Sequence, residues 1–317
     1  VHTMRMLYIL GISFGSVLLG YLVKNRLSDP TLLSNRLKQV SVMVFLPLAA
    51  ISSLWSFAPA SGRIALLSLL GAASIFLGGA FAILCIRWFR MEPYRAGSFF
   101  SSGMFYNISA LAAFIAFVLY GEEGFAYIQI YALFEQPIYY TIGFPLSYAV
   151  GTQNLGSFRF TPRMLLEKKV VFFPLGAVLI GTLLRLSGIP KPGFMYQLSH
   201  ILVPLITFLF GMAIGLTLKI GAIRQYRREI LLLHGIKFLL IPACLIPLGI
   251  LLGFGTIQAG LPLKTLVIVS FSPVAFLAAI PPALYGFDID LANSAWLTTT
   301  VSYMVLLPAI ILLAGWI

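Results

Sequence analysis

Few residues in this chain can do chemistry, and those few lie inside apolar stretches. Asn107 and Ser109 interrupt the run Ser102–Gly121, SGMFYNISALAAFIAFVLYG. Ser270, Ser272 and Pro273 interrupt a second run, Val269–Gly286, VSFSPVAFLAAIPPALYG. Glu135 stands beside Gln136 and Pro137, and His200, His234 and Lys237 complete the set. A charge at the centre of a bilayer costs about 2.5–3.5 kcal/mol even on the lenient insertion scale. Glu135 lies deep in its run. It therefore reads either as part of a polar site or proton carrier, or as a structural carboxyl kept neutral or paired with Lys237. His234 and Lys237 share one helix face and read as side chains reaching toward the headgroups.

These residues do not make an enzyme site. No Ser-His-Asp or Cys-His set is spaced for catalysis, and Glu135 with His234 or Lys237 is the one visible pair. No Gly-rich loop is present to cradle a nucleotide phosphate, so no cofactor is expected. Cys85 and Cys244 each fall singly in apolar runs and no metal-ligand spacing appears, so no metal site is expected either.

The elements that position the polar residues follow from composition. Apolar residues make up 60% of the chain and charged residues 9%, against roughly 25% charged in soluble domains. The solvent is therefore lipid. The net charge of +12 sits in short clusters between apolar runs, the pattern of loops beside anionic lipid rather than of a nucleic-acid surface. Ten segments are apolar and long enough to span, at about 4–23, 38–57, 63–88, 97–120, 124–150, 167–187, 195–218, 229–254, 263–286 and 290–316. The first is read as a retained span, since no cleavage-like signal accompanies it. The loops after spans 1, 3, 5 and 7 hold most of the 21 Lys and Arg residues. By the positive-inside rule they face the cytoplasm, and both termini lie outside.

A repeat is legible in the landmarks. Pro47 is matched by Pro204, Gly121 by Gly286 and Pro145 by Pro308, at near-constant offsets. That argues for two five-span units, 1–150 and 166–317, joined by a cytoplasmic linker at 151–165. Five is odd, so the second unit is inverted, as in many secondary transporters. Spans 4 and 9 would be matching broken helices: Asn107 breaks one, while Pro273, Pro281 and Pro282 break the other. Irregular backbone at membrane depth survives only where protein or water covers it. Half-helix N-termini carry free N–H groups that attract an anion, typically a carboxylate. Packing of small residues at a helix interface, with Asn107 as interhelical glue, is the alternative for span 4.

The block FYNISALAAFIAFVLYGEEGFAYIQIYALFEQPIYYTIGFPL resembles spans 4 and 5 of the auxin efflux carrier family of permeases. SFSPVAFLAAIPPALYGFDIDLANSAWLTTTVSYMVLLPA resembles the family's last two spans. The resemblance implies an all-α polytopic membrane protein of ten spans in two inverted repeats, with spans 4 and 9 crossing at the substrate site. It implies transport of a small organic anion across a bacterial inner membrane, and a homodimer through the scaffold spans. Asn107 matches the family's span-4 Asn, and Pro273 its span-9 proline. The chain departs from the family at Ala113, where a proline is common, and in its short loop between spans 5 and 6. A compact bacterial type fits best. Substrate contacts are expected at Asn107, Ser109, Gln136, Ser272 and Pro273, with Glu135 as proton carrier. Spans 3–5 and 8–10 would be the moving part, and spans 1, 2, 6 and 7 the scaffold. A sodium-coupled symporter of the bile-acid type and a membrane sensor without flux remain alternatives.

Overall fold

The computed structural model describes residues 2–58, 61–154, 172–218 and 220–316. Among these residues it is helical throughout, and the one extended pairing is an isolated antiparallel bridge between Tyr106 and Val274. Among the described residues seven helical stretches are long and apolar enough to cross a membrane. With the charge-poor composition, they make this an integral, polytopic membrane protein.

The chain opens with α1 (His2–Val23), α2 (Pro30–Ser56) and α3 (Gly62–Trp88). Helix α2 begins earlier than the apolar pattern predicts. Asp29 Oδ1 accepts from Leu32 N at 2.8 Å and Pro30 occupies the first helical position, a start signal stronger than the polar character of the first turns. Arg36, expected in the loop, and Lys38, expected at the edge of span 2, are therefore well inside the helix.

Next come α4 (Pro93–Met104) and a 44-residue apolar stretch, Ile108–Gly151. A straight helix of that length would run about 66 Å, twice the hydrocarbon core. It turns back at Gly121 (φ 67°, ψ −156°), and Gly124 lies against the Ala116 carbonyl. This divides it into α5 (108–120) and α6 (122–151). After the span of residues outside the description come α7 (Phe172–Leu186), α8 (Gly193–Gly215) and α9 (Ile223–Leu251). The last three are α10 (Leu261–Ser270), α11 (Phe276–Tyr285) and α12 (Ile289–Trp316). Gly286, between α11 and α12, has φ 73°. The expected 151–165 linker falls mostly outside the described residues, as do Arg159, Arg163, Lys168, Lys169 and Lys219.

Proline shapes three of the helices. π-Helical turns at Ser41–Phe45, Tyr139–Gly143 and Ile236–Leu240 each end two residues before Pro47, Pro145 and Pro242. A proline lacks the N–H its helix needs and its ring crowds the preceding turn, so the helix widens there.

The helices pack in two groups. Helix α8 lies along α1, and α2 packs on both α7 and α8. In lipid such packing rests on close van der Waals fit rather than on a hydrophobic drive. Gly20 and Gly215 supply it: a Cβ on either would overlap the backbone of the facing helix. In the other group α4 packs on α3, on the end of α6 and on α12, and α10 packs on α9 and α12. Helix α5 bridges the groups. Its Leu119 carbonyl accepts from Arg5 Nη1 at 3.1 Å, and its Phe117 ring lies 5.0 Å from that of His200 on α8.

Candidate functional site

Neither α4, with 12 residues, nor α10, with 10, can cross a bilayer alone. Each reaches depth and stops at its break, and α5 and α11 resume beyond. The two breaks meet. Asn107 N donates to the Pro273 carbonyl at 2.9 Å, and Ala275 N donates to the Phe105 carbonyl at 3.1 Å. Unpaired backbone groups are costly where water is absent, and here the donors are accounted for. Phe105 N goes to Ser101 O and Ser272 N to Val269 O, both at 3.0 Å. Tyr106 N goes to the Tyr139 hydroxyl at 2.7 Å, and Val274 N to Thr299 Oγ1 at 3.1 Å. Pro273 has no N–H to satisfy. Where the two segments do not bond each other, carbonyls of their own helices and the side chains of Tyr139 and Thr299 thus take the donors.

Asn107 starts α5. It leaves helical geometry (φ −84°, ψ 61°), and its Oδ1 accepts from Leu111 N at 3.3 Å. The amide NH₂ is then the free donor of the side chain. The first turns of α5 and α11, with their free N–H groups, both begin at this crossing.

Lys237 is also here, fully buried. Its ammonium donates to Gly103 O at 2.8 Å and Phe105 O at 2.9 Å, and sits 3.0 Å from the centre of the Tyr106 ring. It caps the carbonyl end of α4 and does not reach toward headgroups as its position in the sequence had implied. Because α9 begins at 223, Lys237 lies at mid-helix. His234, read with Lys237 as reaching toward the headgroups, is instead held by Ile230 O and Ser302 Oγ, each at 2.8 Å.

The other expected residues divide. Glu135 is buried and accepts from the Ser109 hydroxyl, so α5 and α6 are tied by that pair and Lys237 is not the carboxyl's partner. Gln136 and Ser272 are buried, and neither Gln136 Oε1 nor Ser272 Oγ has a hydrogen-bond partner among the described residues. Pro273 contributes its carbonyl to the crossing. Of the six, Asn107 lines a cavity.

That cavity, of about 40 Å³, lies between the two helix groups and is bounded by Ser13, Thr207, Trp296 and Thr300 as well as Asn107. It has room for a few waters. Of these lining residues, Ser13 Oγ, Trp296 Nε1 and Thr300 Oγ1 are buried without a hydrogen-bond partner among the described residues. Native interiors rarely leave polar atoms so, and these three belong to residues that border an otherwise mostly apolar cavity. Sequence reading missed them, because a Ser, a Trp and a Thr in apolar runs carry no individual signal. Ile214 and Trp296 also border a second, larger cavity of about 620 Å³, which extends past Lys24, Lys38 and Ala283.

The face holding the α5–α6 and α7–α8 turns is closed. Lys191 Nζ lies 2.7 Å from both carboxylate oxygens of Glu122, and Ser52 Oγ lies 3.5 Å from Glu122 Oε1. Ser52 also donates to Met195 O at 2.8 Å and accepts from Ser199 Oγ at 2.6 Å. Asp288, at the opposite face, starts α12 by accepting from Leu291 N at 3.1 Å, and accepts from the Tyr226 hydroxyl at 2.8 Å. Among the described residues no cluster of His, Cys, Asp and Glu could hold a metal ion.

No family model matches the chain. It is 26% identical over 299 residues to a protein of Methanothermobacter thermautotrophicus (strain Delta H) named as an uncharacterized transporter, covering 92% of this chain and 93% of that protein. With the apolar helices, this likeness supports a transporter-like membrane protein.

Proposed function

We propose that the chain is a secondary transporter of a small organic anion, most simply a carboxylate, working by alternating access around the crossing of α4–α5 with α10–α11. The observation that carries this reading is the crossing itself. Two interrupted helices bond backbone to backbone at Asn107 and Pro273, beside a cavity holding orphaned donors from both helix groups. Half-helix N-termini beside an otherwise mostly apolar cavity suit an anion.

The layout we propose is ten spans in two inverted repeats, the first at 1–150 and the second at 166–317. The packing supports it. The α1–α8 contact has its counterpart in α2–α7, and α3–α4 in α9–α10. Gly121 and Gly286 hold positive φ at equivalent turns. In an inner membrane with both termini outside, the large cavity opens to the cytoplasm and the Glu122–Lys191 contact closes the far side. The group α1, α2, α7 and α8 would be the scaffold and the rest the moving body. Asn107, Ser109, Gln136, Ser272 and Pro273 form or border the solute site, and Glu135 would carry a proton.

Lys237 bears on the coupling ion. Half-helix carbonyl ends are where such carriers hold sodium, and here an ammonium occupies the carbonyls of Gly103 and Phe105. That favours transport without sodium. A thermal-shift screen of the purified protein against small carboxylates tests the reading, since a ligand of the native state raises its stability. Stabilisation by at least one carboxylate, in sodium-free buffer and absent for the matching neutral amide, is expected. A screen in which no carboxylate stabilises the protein counts against it.

A further inference from the structure

Lys38 is a cation that helix α2 carries into a cavity. The early start of α2 at Pro30 places Lys38 in the helix, where it lines the space of about 620 Å³ between α2, α8, α11 and α12. Its Nζ lies 5.2 Å from the centre of the Phe276 ring. Phe276 is the first residue of α11, next to the crossing. No Asp or Glu lines this cavity, and among the described residues no acidic group lies within ion-pair distance of Lys38. The second cation there, Lys24, already has partners: it donates to Leu218 O at 2.8 Å and lies 3.9 Å over the Tyr21 ring. The remaining polar lining, Asn35, Asn293, Thr31 and Thr217, is neutral.

An ammonium that lines a cavity of neutral side chains without a counter-charge draws an anion. We propose that Lys38 is the charge-selecting residue of a vestibular subsite, where the carboxylate of the incoming solute binds before it passes Trp296 to the crossing. This rests on the reading of the crossing as an organic-anion site. Lys38 belongs to one helix group and Phe276 to the other, so an anion bound between them touches both bodies. A lysine that only extends toward headgroups would show no such preference for charge.

Trp296 borders both cavities and gives a binding signal independent of transport. The protein is prepared with Trp55, Trp88 and Trp316 replaced by Phe, and Trp296 fluorescence is titrated with acetate, butyrate and succinate, and with their neutral amides. The carboxylates should bind more tightly than the amides. Lys38→Gln should weaken carboxylate binding about tenfold, a difference of about 1.4 kcal/mol, and leave the amides unchanged, while Lys38→Arg should restore most of the preference. Lys38→Met, of near-equal length, serves the same comparison should the Gln variant not fold. Carboxylate binding of undiminished affinity in Lys38→Gln or Lys38→Met overturns this proposal and leaves the crossing site standing. A protein whose Trp296 responds to no carboxylate, with Lys38 present, overturns both.

Discussion

Replacing Glu122 by Gln should open the face that holds the α5–α6 turn. Lys191 Nζ sits 2.7 Å from both Glu122 oxygens, and each side chain is 11% exposed. An exposed ion pair is worth about 0.2–1 kcal/mol, and breaking a fully buried one by removing a partner costs about 3–5 kcal/mol. This pair is nearly dry, but Gln keeps one oxygen to accept from the ammonium. The expected loss is about 1–2 kcal/mol from the closed form, a factor of about 5–30 in the population open on this side. The reporter is Phe117→Cys in a background of Cys85→Ala and Cys244→Ala. Phe117 is 6% exposed and packs on His200 across the two helix groups. Its modification by a membrane-impermeant maleimide should accelerate by the same factor in the Glu122→Gln protein. The rate at Ala283→Cys, in the opposite cavity, should scarcely change, because the form open there still holds most of the population. An unchanged rate at position 117 would refute the assignment of this contact as the closing latch. Equal acceleration at both positions would show general loosening instead of a change of access.

Three further outcomes follow from the site. Asn107→Asp keeps the acceptor that starts α5, and the helix N-terminus offsets its charge, but it repels an anion, so melting temperature should hold while carboxylate-induced stabilisation disappears; Asn107→Ala should lose both, with about 0.5–2 kcal/mol from the missing cap. Glu135→Gln should abolish accumulation driven by a pH gradient in proteoliposomes and spare solute-for-solute exchange; retained proton-driven accumulation removes Glu135 from the coupling role. Gly78→Ala places a methyl against the Gly103 carbonyl and the Tyr106 hydroxyl, whereas a Cβ at Gly79 meets Met104 Cγ at 3.4 Å. Calorimetry should find Gly78→Ala the more damaging, by about 1–3 kcal/mol.

The breaks themselves were legible in the sequence, because Asn107 and Pro273 interrupt apolar runs and act on the backbone locally. What they bond to was not. The Asn107–Pro273 contact joins residues far apart in the chain, and periodicity carries no information about such pairs. The same holds for Ser109 with Glu135, whose hydrogen bond tied a candidate carboxyl to a neighbour instead of to Lys237. Lys237 was misplaced for a simpler reason. Hydropathy starts that helix near 229, whereas the structure carries it back to 223, as a 3₁₀ turn before α-helix from Arg227, so Lys237 lies at mid-helix, where it meets the carbonyl end of α4. Lys38 shifted the same way when the Asp29–Pro30 start extended α2. Charged residues at span edges hide helix starts from a hydropathy reading, and both cations of interest lay there. The orphaned donors of Ser13, Trp296 and Thr300 became visible only when the helices carrying them were packed together.

Solute exchange by the purified protein tests the central claim most directly. The protein is reconstituted into liposomes loaded with an unlabelled carboxylate, and entry of the same carboxylate carrying carbon-14 is followed in sodium-free buffer across a panel of small mono- and dicarboxylates. The account predicts saturable exchange of at least one of them, reduced to the protein-free rate by Asn107→Asp while the variant keeps its melting temperature. Exchange no faster than in protein-free liposomes for every carboxylate, by protein that melts cooperatively, would contradict it.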